Sequence, residues 1–199
     1  MVDKGLALNK QPQHQEGKTS VKFAWGVIDT QDKDKISISF PDGATYSGTL
    51  KEGHFHDKGI YTWPDGSRYD GEWANDLPEG KGTFLLTDGY CYEGIWKSGQ
   101  PEGEGIETMP NGGRYQGQWI NGEKNGVGEI VYSNGRKYTG EWKDGMCHGH
   151  GVLVFSDDSM YEGEWRDNNM FGIGVLSFAD GKKCRGEWNN EEFRIVEML

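Results

Sequence analysis

The sequence predicts an all-β protein, an elongated single-layer antiparallel meander of about seven β-hairpin repeats of 23 residues, and three observations predict it. Tyr46, Tyr69, Tyr92, Tyr115, Tyr138 and Tyr161 stand 23 residues apart without a slip, and Cys184 takes the next place. Within each repeat the apolar residues alternate with polar ones, the period of a strand with one covered face. Between the alternating stretches lie glycine-bearing connections and Asp-Gly or Asn-Gly pairs, the turn chemistry of successive hairpins. A fixed period of this length marks a repeat architecture rather than a thick globular core.

The elements follow in order along one repeat. It opens with Tyr-x-Gly-x-Trp, as in Tyr69-Asp70-Gly71-Glu72-Trp73 and Tyr138-Thr139-Gly140-Glu141-Trp142. Tyr, Gly and Trp share one face of a strand, and the small glycine leaves room between the two rings. The tryptophans of this position are Trp73, Trp96, Trp119, Trp142, Trp165 and Trp188, with Leu50 in the first copy. A glycine pair comes later, Gly80 with Gly82 through Gly172 with Gly174, and is expected in the first connection. The sixteenth and eighteenth residues are mostly apolar, as Tyr61 and Trp63, Ile130 and Tyr132, or Leu153 and Phe155. They form the second strand, facing the Tyr and Trp of the first. The turn back is Asp65-Gly66, Asp88-Gly89, Asn111-Gly112, Asn134-Gly135 or Asp180-Gly181.

The ends of the array differ from its middle. Residues 1–22 read as a flexible polar tail, and residues 23–45 as a degenerate capping repeat, because Ile38, Phe40 and Pro41-Asp42-Gly43 fit the second half of a repeat while Phe23 to Val27 lacks the opening motif. Residues 46–188 are the array. Residues 189–199 read as a C-terminal cap, with a short helix laying Phe193, Val196 and Leu199 over the last edge, since a bare edge invites aggregation.

Composition narrows the function classes. Only 34% of the chain is hydrophobic, while 32 residues are Gly and the aromatic share is 13%, so burial depends on stacked rings. The net charge is −11, and it is unevenly spread: residues 1–22 carry four Lys and two acids, leaving 17 basic against 30 acidic groups in the rest. Nucleic acid and anionic bilayers, both bound chiefly through clustered Lys and Arg, are disfavoured partners. No run of 18 apolar residues occurs, and the N-terminus does not have the build of a signal peptide, so a soluble protein is expected. Cys91, Cys147 and Cys184 are an odd number with no paired spacing, which favours reduced thiols and a cytoplasmic setting.

The repeated Tyr-x-Gly-x-Trp with its following glycine pair closely resembles the MORN family, the membrane occupation and recognition nexus repeats. The likeness covers residues 46–188, with Asp57, Asp158 and Cys184 as departures. It implies a twisted single-layer sheet with a groove. The family includes phosphoinositide kinases and a methyltransferase whose catalysis resides in separate domains, as well as radial-spoke proteins and repeat-only adaptors that bind myosin tails. This chain resembles the repeat-only kind. The resemblance implies a scaffold or adaptor for a protein partner in a cytoskeletal, motor or ciliary setting, with a peripheral membrane or phosphoinositide binder as the alternative.

No constellation of residues points to an enzyme, a cofactor or a metal. Cys147, His148 and His150 supply three ligand atoms at spacings unlike a zinc site and are expected as loop residues. Glu72, Glu141, Glu164 and Glu187 recur at the fourth position and read as a solvated face with Lys143 and Arg166. The candidate partner site is the centre of the aromatic face, Tyr92, Trp96, Tyr115, Trp119, Tyr138 and Trp142. A single layer leaves that face uncovered, and exposed apolar strips mark binding sites.

Overall fold

The computed structural model describes residues 20–23, 26–32, 35–189 and 192–199, with the side chains from residue 36 onward except that of residue 189. Seventeen strands follow one another: β1 (Ser20–Phe23), β2 (Gly26–Asp32), β3 (Lys35–Ser39), β4 (Thr45–Lys51), β5 (His54–Thr62), β6 (Arg68–Ala74), β7 (Leu77–Leu85), β8 (Cys91–Lys97), β9 (Gln100–Thr108), β10 (Arg114–Ile120), β11 (Glu123–Val131), β12 (Lys137–Lys143), β13 (Met146–Val154), β14 (Met160–Arg166), β15 (Asn169–Ser177), β16 (Lys183–Asn189) and β17 (Glu192–Met198). They fall into two compact halves, one through Pro101 and one from Glu102. In the N-terminal half β1 to β8 pair in sequence order, each antiparallel to the next. In the C-terminal half β9 to β17 do the same.

Each repeat supplies a seven-residue strand and a nine-residue strand. The seven-residue strand turns into its partner through two residues that both have positive φ, such as Asn75-Asp76, Asn121-Gly122 and Asp144-Gly145. This is the tight hairpin turn that matches strand twist. The glycine pair is therefore not the connection expected from the sequence. Its first member sits inside the long strand in the left-handed region, at φ +66 for Gly126 and +58 for Gly149, and Asp57 adopts the same conformation at φ 52. There the register with the preceding strand shifts, as between Gly140 and Glu141 on β12, which is a β-bulge.

The bulge explains the opening motif. Where the ladder is broken, the Tyr hydroxyl donates to the carbonyl of the fourth residue: Tyr46 to Thr49 at 2.8 Å, Tyr115 to Gln118 at 3.0 Å and Tyr138 to Glu141 at 2.8 Å. To reach it the ring lies across two facing glycines. A Cβ built on Gly117 would come within 2.5 Å of the Gly128 Cα and 2.6 Å of the Tyr115 hydroxyl. The Trp indole closes the same face on the preceding strand pair, with Trp73 Nε1 donating to the Gly59 carbonyl at 2.9 Å and Trp142 to Gly128 at 3.2 Å.

The ends depart from expectation. Residues 192–198 form a strand, not a helix, with Phe193 opposite Trp188 on the aromatic face. The last hairpin lacks a glycine at its bulge, and its register runs one residue off that of the other repeats, with Cys184 opposite Met198. At the other end β1 and β2 form a hairpin, so Ser20 to Lys22, read as tail, belong to a strand. Most of that tail, residues 1–19, lies outside the described residues, as do residues 24–25 and 33–34 of the capping repeat and 190–191 of the C-terminal cap.

Candidate functional site

The six residues expected to form the site are placed by alternate positions of three strands. Tyr92 and Trp96 lie on β8 in the N-terminal half; Tyr115 and Trp119 lie on β10, and Tyr138 and Trp142 on β12, in the C-terminal half. Within the C-terminal half the rings interlock edge to face, Tyr115 against Trp119 at 5.4 Å and Trp142 at 5.1 Å, and Tyr138 against Trp142 at 5.4 Å and Trp165 at 4.9 Å.

Accessibility is where the expectation fails. Tyr115 is 0% exposed, Tyr92 and Tyr138 1%, and Trp96, the most open of the six, 7%. The Tyr hydroxyl is pinned beneath the sheet's own bulge, and in two repeats the tenth residue, Phe55 or Lys124, folds over the ring. Phe55 stacks on Tyr46 at 3.7 Å and 9°. In the corresponding place Lys124 lies over Tyr115 and Trp119, its Nζ 5.2 and 5.5 Å from the ring centroids. The Tyr and Trp rows are the core of the sheet, and burial raises the hydroxyls of Tyr46, Tyr69 and Tyr138 well above the usual phenol range.

The accessible surface of the same face is a different row. The eighteenth residues, just past the long strands, are partly open: Phe40, Trp63 and Leu86 in the N-terminal half, and Met109, Tyr132 and Phe155 in the C-terminal half, where Phe178 reaches 44% exposure. They flank the sixteenth-position rings, Trp63 lying 4.8 Å from the buried Tyr61 and 5.4 Å from the half-buried Phe84. The sequence marked these residues as apolar strand positions, and their place at a strand end, beside the turn, is what leaves them open.

Two charged groups interrupt the apolar face. Glu107 occupies a sixteenth position that is apolar in the other repeats, and its Oε2 meets Lys124 Nζ at 2.6 Å with both side chains largely covered. The opposite face carries the fourth-position residues. Glu141 Oε1 accepts the N–H of His150 at 2.9 Å, and Gln118 Oε1 that of Val127 at 3.1 Å. These side chains cap amides that the bulge leaves without a strand partner, a role beyond the solvated face expected. Ile120, Val127 and Val131 are also on that face and are 49%, 59% and 40% exposed.

Cys147 lies in β13 rather than in a loop, 3% exposed on the aromatic face. Burial pushes its thiol up to about 11, the opposite of an activated nucleophile. His148 faces Asp167 at 3.6 Å, and His54 Nδ1 meets Asp76 at 2.5 Å. Among the described residues no group of three His, Cys, Asp or Glu side chains is placed to hold a metal ion.

The family model described as MORN repeat matches residues 46–68, 69–89, 92–114, 115–135, 138–160 and 161–183. No curated protein matches the sequence. Two solved structures are similar in fold. The TCP domain of SAS-4 of Drosophila melanogaster, in complex with a proline-rich motif of Ana2, gives a TM-score of 0.52 at 13% identity, over 92% of this chain and 99% of that one. The G-box domain of the microcephaly protein CPAP, described as suggesting a role in centriole elongation, gives 0.57 at 12% identity, over 91% and 99%.

Proposed function

The chain belongs to the MORN-repeat family, and from that premise we propose that it is a non-enzymatic scaffold that holds a protein partner along the aromatic face of its hairpins. The observation that carries the reading is the row of partly open apolar residues at the strand ends. In the C-terminal half, Met109, Tyr132, Phe155 and Phe178 recur every 23 residues beside a rigid ring core. An extended or helical segment crossing several repeats would bury such a row at little entropic cost to the scaffold, because the residues below it are already fixed. Complex formation with a proline-rich motif by the SAS-4 domain supports this use of the fold. The named role of the CPAP domain supports a cytoskeletal setting.

The test begins with affinity purification of the partner from the native cell and mass spectrometry. Phe155→Glu and Phe178→Glu, on the aromatic face, should each abolish its pull-down while leaving the circular dichroism unchanged. Val127→Glu, on the other face, should not. Retention by both aromatic-face variants together with loss by Val127→Glu would move the partner to the opposite side of the sheet.

A further inference from the structure

The repeat provides its own control. The neighbourhood of Tyr46 in the N-terminal half and that of Tyr138 in the C-terminal half are four repeats apart and have the same local register. Around Tyr46 the space is filled: Phe55 lies flat on the tyrosine and touches Phe40, Tyr61 and Trp73. Two carboxylates stand at its turns. Asp42 accepts the Ala44 N–H at 3.0 Å and Asp76 the Phe55 N–H at 2.7 Å.

Around Tyr138 the equivalent positions have changed together. Cys147 stands where Phe55 does, and a cavity of ≈ 250 Å³ opens between Tyr138, Cys147, Leu153, Trp165 and Tyr132. Asn134 and Asn168 replace the two aspartates, and Arg136 replaces Ala44; all three line the cavity. Asn134 Oδ1 accepts the Arg136 N–H at 3.1 Å and Asn168 Oδ1 the Cys147 N–H at 2.8 Å. With both carbonyl oxygens committed, each amide retains its NH₂ as a donor. The Arg136 guanidinium lies over Phe155 at 5.3 Å, its Nε is buried without a hydrogen-bond partner, and no carboxylate among the described residues comes within ion-pair distance of it. Burial keeps the Cys147 thiol and the Tyr132 hydroxyl, pushed up to about 11 and about 12, in their neutral forms. The wall therefore presents a cation and amide donors above an apolar floor and no negative charge.

We propose that this cavity takes an acidic side chain of the partner, an Asp or Glu next to an apolar residue. Its carboxylate is received by Arg136 with Asn134 and Asn168, and its apolar neighbour packs on the partly open Tyr132 and Phe155, above the buried Leu153, Cys147 and Trp165. A guanidinium pairs with a carboxylate through parallel, charge-assisted hydrogen bonds, and a buried unpaired Nε is a standing demand for one. The volume is below the range of about 300–1,000 Å³ usual for small-molecule sites and suits one or two side chains. In a chain of net charge −11 a local cation with no carboxylate in its cavity selects where an acidic residue can bind, so it sets register rather than association rate. The inference rests on the aromatic face being the partner face.

The experiment uses the full chain labelled with ¹⁵N and two probes, acetyl-Phe-Glu-amide and acetyl-Phe-Gln-amide, with inorganic phosphate as a third. The Glu peptide should shift the Trp165 indole and the Asn134 and Asn168 side-chain signals saturably. The Gln peptide should bind about tenfold more weakly, as expected for loss of a charge-assisted pair. Arg136→Ser, which places at this position the residue found at Ser67 and Ser159, should remove the difference between the peptides. Cys147→Phe, which restores the ring seen at Phe55, should abolish the shifts of both. Equal binding of the two peptides to the unchanged chain would overturn the proposal, as would saturation by phosphate alone to the same extent. If the cavity ignores the peptides while Phe155→Glu still abolishes partner capture, the carboxylate site is wrong and the aromatic-face reading stands. If partner capture survives that substitution, the face reading itself has failed.

Discussion

Gly140 and Gly151, which face each other across a hairpin, invite a sharp test, because Gly151 is confined by the Tyr138 side chain and Gly140 by backbone as well. Neither Gly140 nor Gly151 has a positive φ, so the backbone itself tolerates alanine at both and the effect of each substitution comes from contact alone. A Cβ on Gly151 would lie 2.5 and 2.6 Å from Cε2 and Cζ of Tyr138, where ordinary contact begins near 3.4 Å. Tyr138 is 1% exposed and its hydroxyl is held by the Glu141 carbonyl at 2.8 Å, so relief requires tilting the ring and breaking that bond. Overpacking of about 1–3 kcal/mol with a lost hydrogen bond of about 1 kcal/mol gives roughly 2–4 kcal/mol for Gly151→Ala. A Cβ on Gly140 would meet the Gly151 Cα at 2.5 Å and the His150 carbonyl at 2.7 Å as well as the Tyr138 hydroxyl at 2.6 Å. Backbone cannot swing aside, so Gly140→Ala should be the worse. Tyr138→Leu removes the obstacle to a methyl group at position 151 but not the obstacle to one at position 140. In urea denaturation followed by tryptophan fluorescence, the pair at 138 and 151 should then show a coupling of about 1–3 kcal/mol. A Gly151→Ala protein within about 0.5 kcal/mol of the wild type, or strict additivity with Tyr138→Leu, would refute the account of the motif.

Four further outcomes are expected. Glu141→Ala should cost about 1 kcal/mol rather than the few tenths of a solvated carboxylate, since it leaves the His150 amide without its acceptor, and equal stability in urea would return Glu141 to the surface role. Lys124→Met alone should destabilise the C-terminal half by about 2–3 kcal/mol by stranding Glu107, whereas Glu107→Leu with Lys124→Met should be close to neutral; a double variant as unstable as the single would mean that the charges contribute net stability. Folded-state hydroxyls raised above the unfolded value of about 10, to about 12 for Tyr61 and Tyr161, hold protons more tightly than the unfolded chain does. Their contribution is therefore complete below pH 10 and lost as pH rises through the folded value, so tyrosinate absorbance should appear together with cooperative unfolding between about pH 10 and 12. Gradual ionisation of a folded protein would contradict the burial of the rings. Finally, the acidic surface should prevent flotation with phosphatidylserine vesicles at about 0.15 M salt, and salt-sensitive flotation would favour the phosphoinositide-binding alternative.

What the sequence made legible was whatever repeats. Spacing alone placed the first strand of every repeat and put Tyr, Gly and Trp on one face, and Asp-Gly and Asn-Gly located the second turn, where Gly43, Gly66, Gly89 and Gly135 all have positive φ. The first turn was misplaced because its residues vary, from Glu52-Gly53 to Asp167-Asn168, while the glycine pair recurs and so attracted the turn assignment. A bulge inside a strand has no composition of its own. The burial of Tyr92, Trp96, Tyr115, Trp119, Tyr138 and Trp142 was illegible for a related reason: it depends on the tenth residue, whose type changes from repeat to repeat. Phe193 and Val196, three apart, suit a helix as well as a strand. Pairing with β16, which places Phe193 opposite Trp188, overrides that local spacing.

The variable tenth position carries the argument one step further. Cross-strand register places it opposite the Trp, or opposite Leu50 in the first copy, in six hairpins, as Phe55, Pro78, Lys124, Cys147, Met170 and Phe193. The Tyr and facing Gly positions make the bulge contacts, which persist even with Leu50 at the Trp position, so they fix a scaffold and say nothing about a partner. The residue lying over each Tyr is free of those contacts and decides the relief above it: a stacked ring at Phe55, a cation at Lys124, a hollow at Cys147. A family of such chains could keep one fold and change its partner by altering this residue together with its neighbours at the sixteenth and twenty-second positions, Glu107 and Arg136 here. The specificity of a repeat scaffold is then to be sought at the positions where its repeats disagree on the covered face.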